Sequence, residues 1–173
     1  LWYQGRYAEA ASAQALLVQQ RPDDHQAQRS LELFQLRAQI AANEDDVSAW
    51  SRLGAHYQED GDKAGAMEAW SRVLTLAPGH AEALEQVVTT ALTTGQQAQA
   101  MRAVELALEH APDDPRVLGM VVLVDTQTRR DLGRAMELAQ RRVALAPDSP
   151  DAKLDLGLLL LLHGQAQQAA VLL

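Results

Sequence analysis

Apolar residues recur at helical spacing along most of the chain, and short polar breaks carrying Gly, Pro and Asp cut the pattern into pieces of helix length. The clearest stretch runs from Val47 to Pro78. Trp50, Leu53 and Tyr57 mark one face of a helix over 47–60 that Asp46 can cap and Gly61 ends. Asp62 caps a second helix through Ala66, Trp70, Val73 and Leu74. Leu84, Val87, Val88 and Ala91 repeat the first piece in spacing though not in identity. Gly61 and Gly95, Ala66 and Ala100, and Pro78 and Pro112 each lie 34 residues apart. Asp114 and Pro115 open another pair of helices that closes one residue late, at Pro147. The extra residue is expected near Thr128-Arg129-Arg130, in a projecting loop with no glycine at its turn. Ser149 and Pro150 open the last piece, where Gly164 marks the turn. With no window dominated by β-branched residues, the pattern predicts an all-α chain of antiparallel helix pairs.

Before Val47 the rhythm fails. Residues 1–4 read as the end of one helix, Gly5 as a turn, and a second helix reaches about Gln20, closed by Arg21-Pro22-Asp23-Asp24. From His25 to Ala42, Leu31, Leu33, Phe34, Leu36, Ala38 and Ile40 supply an apolar face, with neither a central Gly nor a closing Pro. Pro22 to Pro78 covers one 34-residue interval and about 22 residues more, one helix short of two pairs. Two readings follow for 26–42: a single helix bridging two stacks, with a hinge or a change of superhelix direction, or an ordinary helix packed against Trp50.

Trp50-x-x-Leu53-Gly54-x-x-Tyr57, followed by Ala66-x-x-x-Trp70 and Pro78, resembles the tetratricopeptide repeat (TPR), with Trp70 in place of the family's Phe. The resemblance implies an α-α superhelix, a TPR solenoid of antiparallel helix pairs with an irregular single helix near 26–42. Its divisions are a partial unit at 1–24, a linking helix at 25–46, units at 47–80, 81–114 and 115–149, and a partial unit at 150–173. The cut first unit and the apolar last helix suggest a piece of a longer protein, since a solenoid end normally needs a polar cap.

In this family the first helix of each pair lines a groove that receives a partner peptide or helix. The resemblance carries that role to Ser51, Arg52, Ala55, Gln58 and Glu59 in the central unit, and to Glu82, Glu85, Gln86 and Thr89 in the next. Arg116, Met120, Leu123 and Gln127 follow, then Leu158 and Leu162. This face grades from polar and acidic to apolar, which suits a basic or apolar segment. Solvation of the acids, and burial of the leucines under a further unit, are the bland alternatives. The Lys and Asn with which chaperone-binding members hold a terminal carboxylate are replaced by Ser51, Ala55, Glu85 and Thr89, so that clamp is not expected.

Composition removes several classes. A formal charge of −8 is unsuited to tracking phosphates, so nucleic acid is not an expected partner. There is no cysteine, hence no disulfide or thiolate chemistry, and both periplasm and cytoplasm stay open. The longest apolar run, Leu156 to Leu162, is far below the roughly 20 residues of a membrane span. His25, His56, His80, His110 and His163 are scattered without a second ligand at helical spacing, so no metal or other cofactor is expected. Ser51 and Ser149 lack a His-plus-acid context, so the chain is not read as an enzyme.

The leading expectation is a protein-interaction module or assembly scaffold. The stretch from Leu36-Arg37-Ala38 through Ala41-Ala42-Asn43-Glu44-Asp45-Asp46 to Tyr57 is similar to the periplasmic TPR region of bacterial cytochrome c maturation proteins, which implies binding of apocytochrome tails. The alternatives are an accessory TPR region of a larger enzyme, such as a glycosyltransferase, hydroxylase or peptidase, and self-association through the C-terminal leucine-rich helix.

Overall fold

The structure, a computed structural model, describes residues 4–172, with side chains from position 6 onward. Its described residues form helices and connecting turns, and no strand. The helices divide into two compact units at residues 76 and 77.

The first unit holds α1 (Gln4–Gln20), α2 (His25–Ala42), α3 (Val47–Glu59) and α4 (Lys63–Leu76). The helix end expected over residues 1–3 lies outside the described residues, and α1 runs through the expected turn at Gly5. Asp24 and Asp46 accept hydrogen bonds from the Ala27 and Ala49 amides, each at 3.0 Å, and so cap α2 and α3. The helix over 26–42 is single and continuous. It does two jobs: it forms an antiparallel hairpin with α1 and packs its far side on α3. The hairpin register shows in Gln14, which donates to the Ala27 carbonyl beside the loop, and Tyr7, which receives Arg37 Nη1 at 2.9 Å further out. Leu36, Ile40, Ala49, Leu53 and Ala69 close the core of this unit, with Leu33, Trp50 and Tyr57 against it. Trp50 thus packs against the core that Leu36 and Ile40 of α2 share with α3 and α4.

The second unit holds α5 (Ala81–Thr93), α6 (Gln97–His110), α7 (Pro115–Thr128), α8 (Leu132–Leu145), α9 (Pro150–Leu162) and α10 (Ala166–Leu172). Each helix pairs with the next, and α5 packs on α7 and α7 on α9. Ala83, Ala91, Ala100, Ala107, Ala135, Ala139 and Ala152 are fully buried, which lets the backbones approach closely around Leu84, Val104, Leu118, Val121 and Leu159.

The turn inside each pair is closed the same way. Asp62, Gln96, Arg130 and Gln165 donate their amides five residues back, to the carbonyls of Tyr57, Ala91, Asp125 and Leu160. The residue before each donor is left-handed: Gly61, Gly95 and Gly164 at φ 75°, 76° and 74°, and Arg129 at φ 49°. Arg129 thus takes the glycine place, and the α7–α8 turn keeps the common closure instead of projecting. The extra residue falls immediately after it, where Arg130 and Asp131 stand against the lone Gln96 of the preceding pair. Asp131 uses the addition to cap α8, accepting from the Arg134 amide at 2.8 Å, whereas Gln96 gives α6 no side-chain cap.

Candidate functional site

The exposed side of the first helix in each pair is where the sequence put partner contacts. On α3, Ser51 donates to the Val47 carbonyl at 2.8 Å, Arg52 meets Glu32 at 3.3 Å and Glu59 meets Arg29 at 2.7 Å. Ala55 is half-buried and Gln58 exposed. Arg29 also reaches Asp60 at 2.6 Å and donates to the His56 carbonyl, fastening α2 to the end of α3. His56 itself is buried, with Nε2 3.2 Å from Asp60, so it belongs to this fastening.

In the second unit the same side is built by α5, α7 and α9. Glu85 and Arg116 come together at 3.1 Å across α5 and α7. Glu59 and Glu85 therefore spend their charge within the chain, while Glu82, in the first turn of α5, has no ion-pair partner among the described residues. Thr89 and Gln127 are exposed; Gln86, Met120 and Leu123 are half-buried. On α9, Leu154, Leu158, Leu161 and Leu162 are 47–61% exposed and recur at one-turn spacing, an apolar stripe beside the polar stretch.

Three charged features escaped the sequence. Arg142 of α8 lies against Gly119 of α7, where a Cβ would come within 2.7 Å of its Cζ, and its Nη1 bonds Asp155 of α9. Burial raises the Asp155 carboxyl above the ordinary aspartate value despite that guanidinium. Behind α7, Glu105 accepts two hydrogen bonds from Arg134, at 2.7 and 3.0 Å, and meets Arg130 at 2.8 Å. The Arg134 hydrogen bonds hold its carboxyl below the usual range. Asp125, fully buried beside this group, has no hydrogen bond on either carboxylate oxygen; Arg134 Nε is 3.6 Å away. Burial pushes its carboxyl up.

The third feature is a cavity of about 710 Å³ in the first unit, bordered by Tyr7, Arg37, Ile40, Trp50, Leu53, Tyr57 and one side of α4. Arg37 donates to both phenols, Tyr7 and Tyr57, and its guanidinium stands 5.4 and 5.8 Å from their ring centres. Among the described residues no cluster of His, Asp and Glu suited to a metal is present, and no helix is long and apolar enough to cross a membrane.

Paired antiparallel helices, the 34-residue beat and the shared left-handed closure define an all-α TPR solenoid. Solved structures agree. The chain is similar to MamA from Desulfovibrio magneticus RS-1, with 21% identity, a TM-score of 0.64, and coverage of 98% of this chain and 90% of that one. It is similar to Pseudomonas aeruginosa PilF, with 21% identity, a TM-score of 0.64, and coverage of 96% and 76%. The APC/C hetero-tetramer Cut9–Hcn1 matches at 15% identity and a TM-score of 0.64, over 99% of this chain and 35% of that one. At these identities the likeness shows the fold. No protein-family model and no curated protein matches the sequence.

Proposed function

We propose that this chain is a non-catalytic interaction module that takes a peptide or helix of a protein partner on the exposed side of α5, α7 and α9. The corresponding side of α3 offers a second such surface in the first unit. The observation that carries the reading is the stripe of Leu154, Leu158, Leu161 and Leu162 on α9, with exposed Gln127 on the adjoining α7 and the unpaired Glu82 and exposed Thr89 on α5 beyond it. Apolar contact holds a bound segment, and the acid selects a basic flank. Cut9–Hcn1, which shares the fold, is itself a hetero-tetramer. The test is affinity capture of partners with the wild-type chain, followed by titration of each against Glu82→Lys and Leu158→Glu. Each substitution should weaken binding at least tenfold, and undiminished binding by both variants would overturn the reading.

A narrower reading, a part in cytochrome c maturation, is supported by the resemblance over Leu36 to Tyr57, the segment that forms the α2–α3 core. Titration with apocytochrome C-terminal peptides tests it, and the absence of a saturable signal removes it. Self-association through the same leucines is read by sedimentation: a monomer across a hundredfold concentration range excludes it. An accessory role beside a catalytic domain is decided by the length and content of the parent gene.

A further inference from the structure

Arg142 breaks the chain's own register. It lies 35 residues after Ala107, which lies 34 after Val73, and both of those are fully buried. The longer α7–α8 turn accounts for the extra residue. An arginine fits at this place because Gly119 of α7 has no side chain: a Cβ there would lie 2.7 Å from Arg142 Cζ and 3.0 Å from its Nε and Nη1. The guanidinium thus passes along α7 to α9, where Nη1 donates to Asp155 Oδ2. The carboxylate so held is 29% exposed, which leaves it within reach of a bound segment at the seam of α7 and α9.

Asp155 is short of hydrogen bonds. An ionised carboxylate can accept about four, and the one from Arg142 is what Asp155 receives among the described residues. Glu59 and Glu85, also paired with arginines, are 67% and 49% exposed, so water completes their shells. The lesser exposure of Asp155 gives water less room. Burial raises its carboxyl in spite of the guanidinium, and Asp151 one turn earlier adds to the effect. These are the charged groups that act on it: Arg142 from α8 and Asp151 on α9. Two carboxylates against one guanidinium leave one negative charge in excess.

At 100° per residue Asp151, Leu154, Asp155 and Leu158 share one face of α9, while Lys153 stands about 200° from both acids. The group therefore lacks a donor that also carries positive charge. An uncharged amide would supply the hydrogen bond and leave the excess charge in place. A lysine or arginine supplies both, and its aliphatic stem lies well on leucine.

We propose that the seam between α7 and α9 receives one lysine or arginine side chain of the bound segment, its cation on the oxygen of Asp155 that Arg142 leaves open and its stem along Leu154 and Leu158. The inference rests on the partner surface of α5, α7 and α9. It adds a register: a basic residue falls among the apolar ones, in addition to the flank opposite Glu82.

The test uses the full chain, immobilised and exposed to acetylated, amidated decapeptides that carry randomised apolar residues around a central lysine. Two further pools replace that lysine with norleucine, which keeps the stem without the charge, or with glutamine. The lysine pool should be retained roughly tenfold better than the norleucine pool, and better than the glutamine pool. Asp155→Asn should erase most of that preference. Should this variant fail to fold, Asp155→Asn with Arg142→Met, which leaves no guanidinium unpaired, should erase it likewise. Equal retention of lysine and norleucine pools would overturn the inference and leave the partner surface standing. So would glutamine retained as well as lysine, or a preference undiminished in either folded variant. Retention of none of the pools by the wild-type chain would overturn both.

Discussion

Gly54 of α3 faces the indole of Trp70 on α4 so closely that a Cβ at position 54 would lie 2.6 Å from Trp70 Cε2. The ring is 3% exposed and packed into the core, so it cannot swing away as a flexible chain end would. Gly54→Ala is expected to destabilise the protein by roughly 1–3 kcal/mol, the usual cost of overpacking, even though alanine gains about 1 kcal/mol over glycine within a helix. Urea unfolding measures it. In a Trp70→Leu background the same change should cost markedly less, and additive effects would contradict the contact.

The two tryptophans of the repeat motif should respond unequally. Trp70→Ala removes a buried ring and is expected to cost about 3–5 kcal/mol. Trp50 is half-buried at the edge of the cavity, with its N–H donating to the Glu44 carbonyl at 2.8 Å. Its truncation should cost about 1–2 kcal/mol, since less area returns to water. Thermal melts followed by circular dichroism rank the pair, and equal losses would show that the cavity edge is packed more tightly than described.

Arg129→Gly is expected to stabilise. The arginine holds φ 49°, a conformation that costs an L-residue about 1 kcal/mol or more and glycine little. Its side chain is exposed, so nothing buried is lost. A gain of about 0.5–1 kcal/mol in urea unfolding is the expected outcome, with Gly95→Ala losing a similar amount at the matching turn.

These turns show what the sequence could and could not convey. The helices were legible because caps and stops are local: Asp46, Asp114 and Gly95 act on their own backbone neighbours. Arg129 hid the α7–α8 turn because the signal sought was a glycine, whereas the structure keeps a left-handed backbone and a five-residue closing bond. Likewise the positions facing solvent on α3, α5, α7 and α9 could be counted from the period. That Glu85 is neutralised by Arg116, 31 positions away, could not, because such pairing depends on how side chains of adjacent helices meet. The Arg37 cavity was invisible for the same reason, being assembled from four helices.

Asp125 gives a prediction whose sign is fixed by its surroundings. Burial raises its carboxyl above the ordinary aspartate value, and the Arg134 and Arg130 guanidinium groups only partly reverse this. The folded chain therefore binds this proton more tightly than the unfolded chain does. Stability contributed at this position falls as pH rises from the unfolded value, about 3.9, through the raised folded one. Glu105 has the opposite sign, stabilising above its unfolded value and losing that contribution as pH falls through its lowered one. Asp125→Asn removes the first effect and leaves the second. The stability of the variant minus that of the wild type should grow with pH across the Asp125 interval and then level, as read from urea unfolding at steps between about pH 3.5 and pH 7. A difference that stays constant across that range would mean the carboxylate is as well solvated in the folded chain as in the unfolded one.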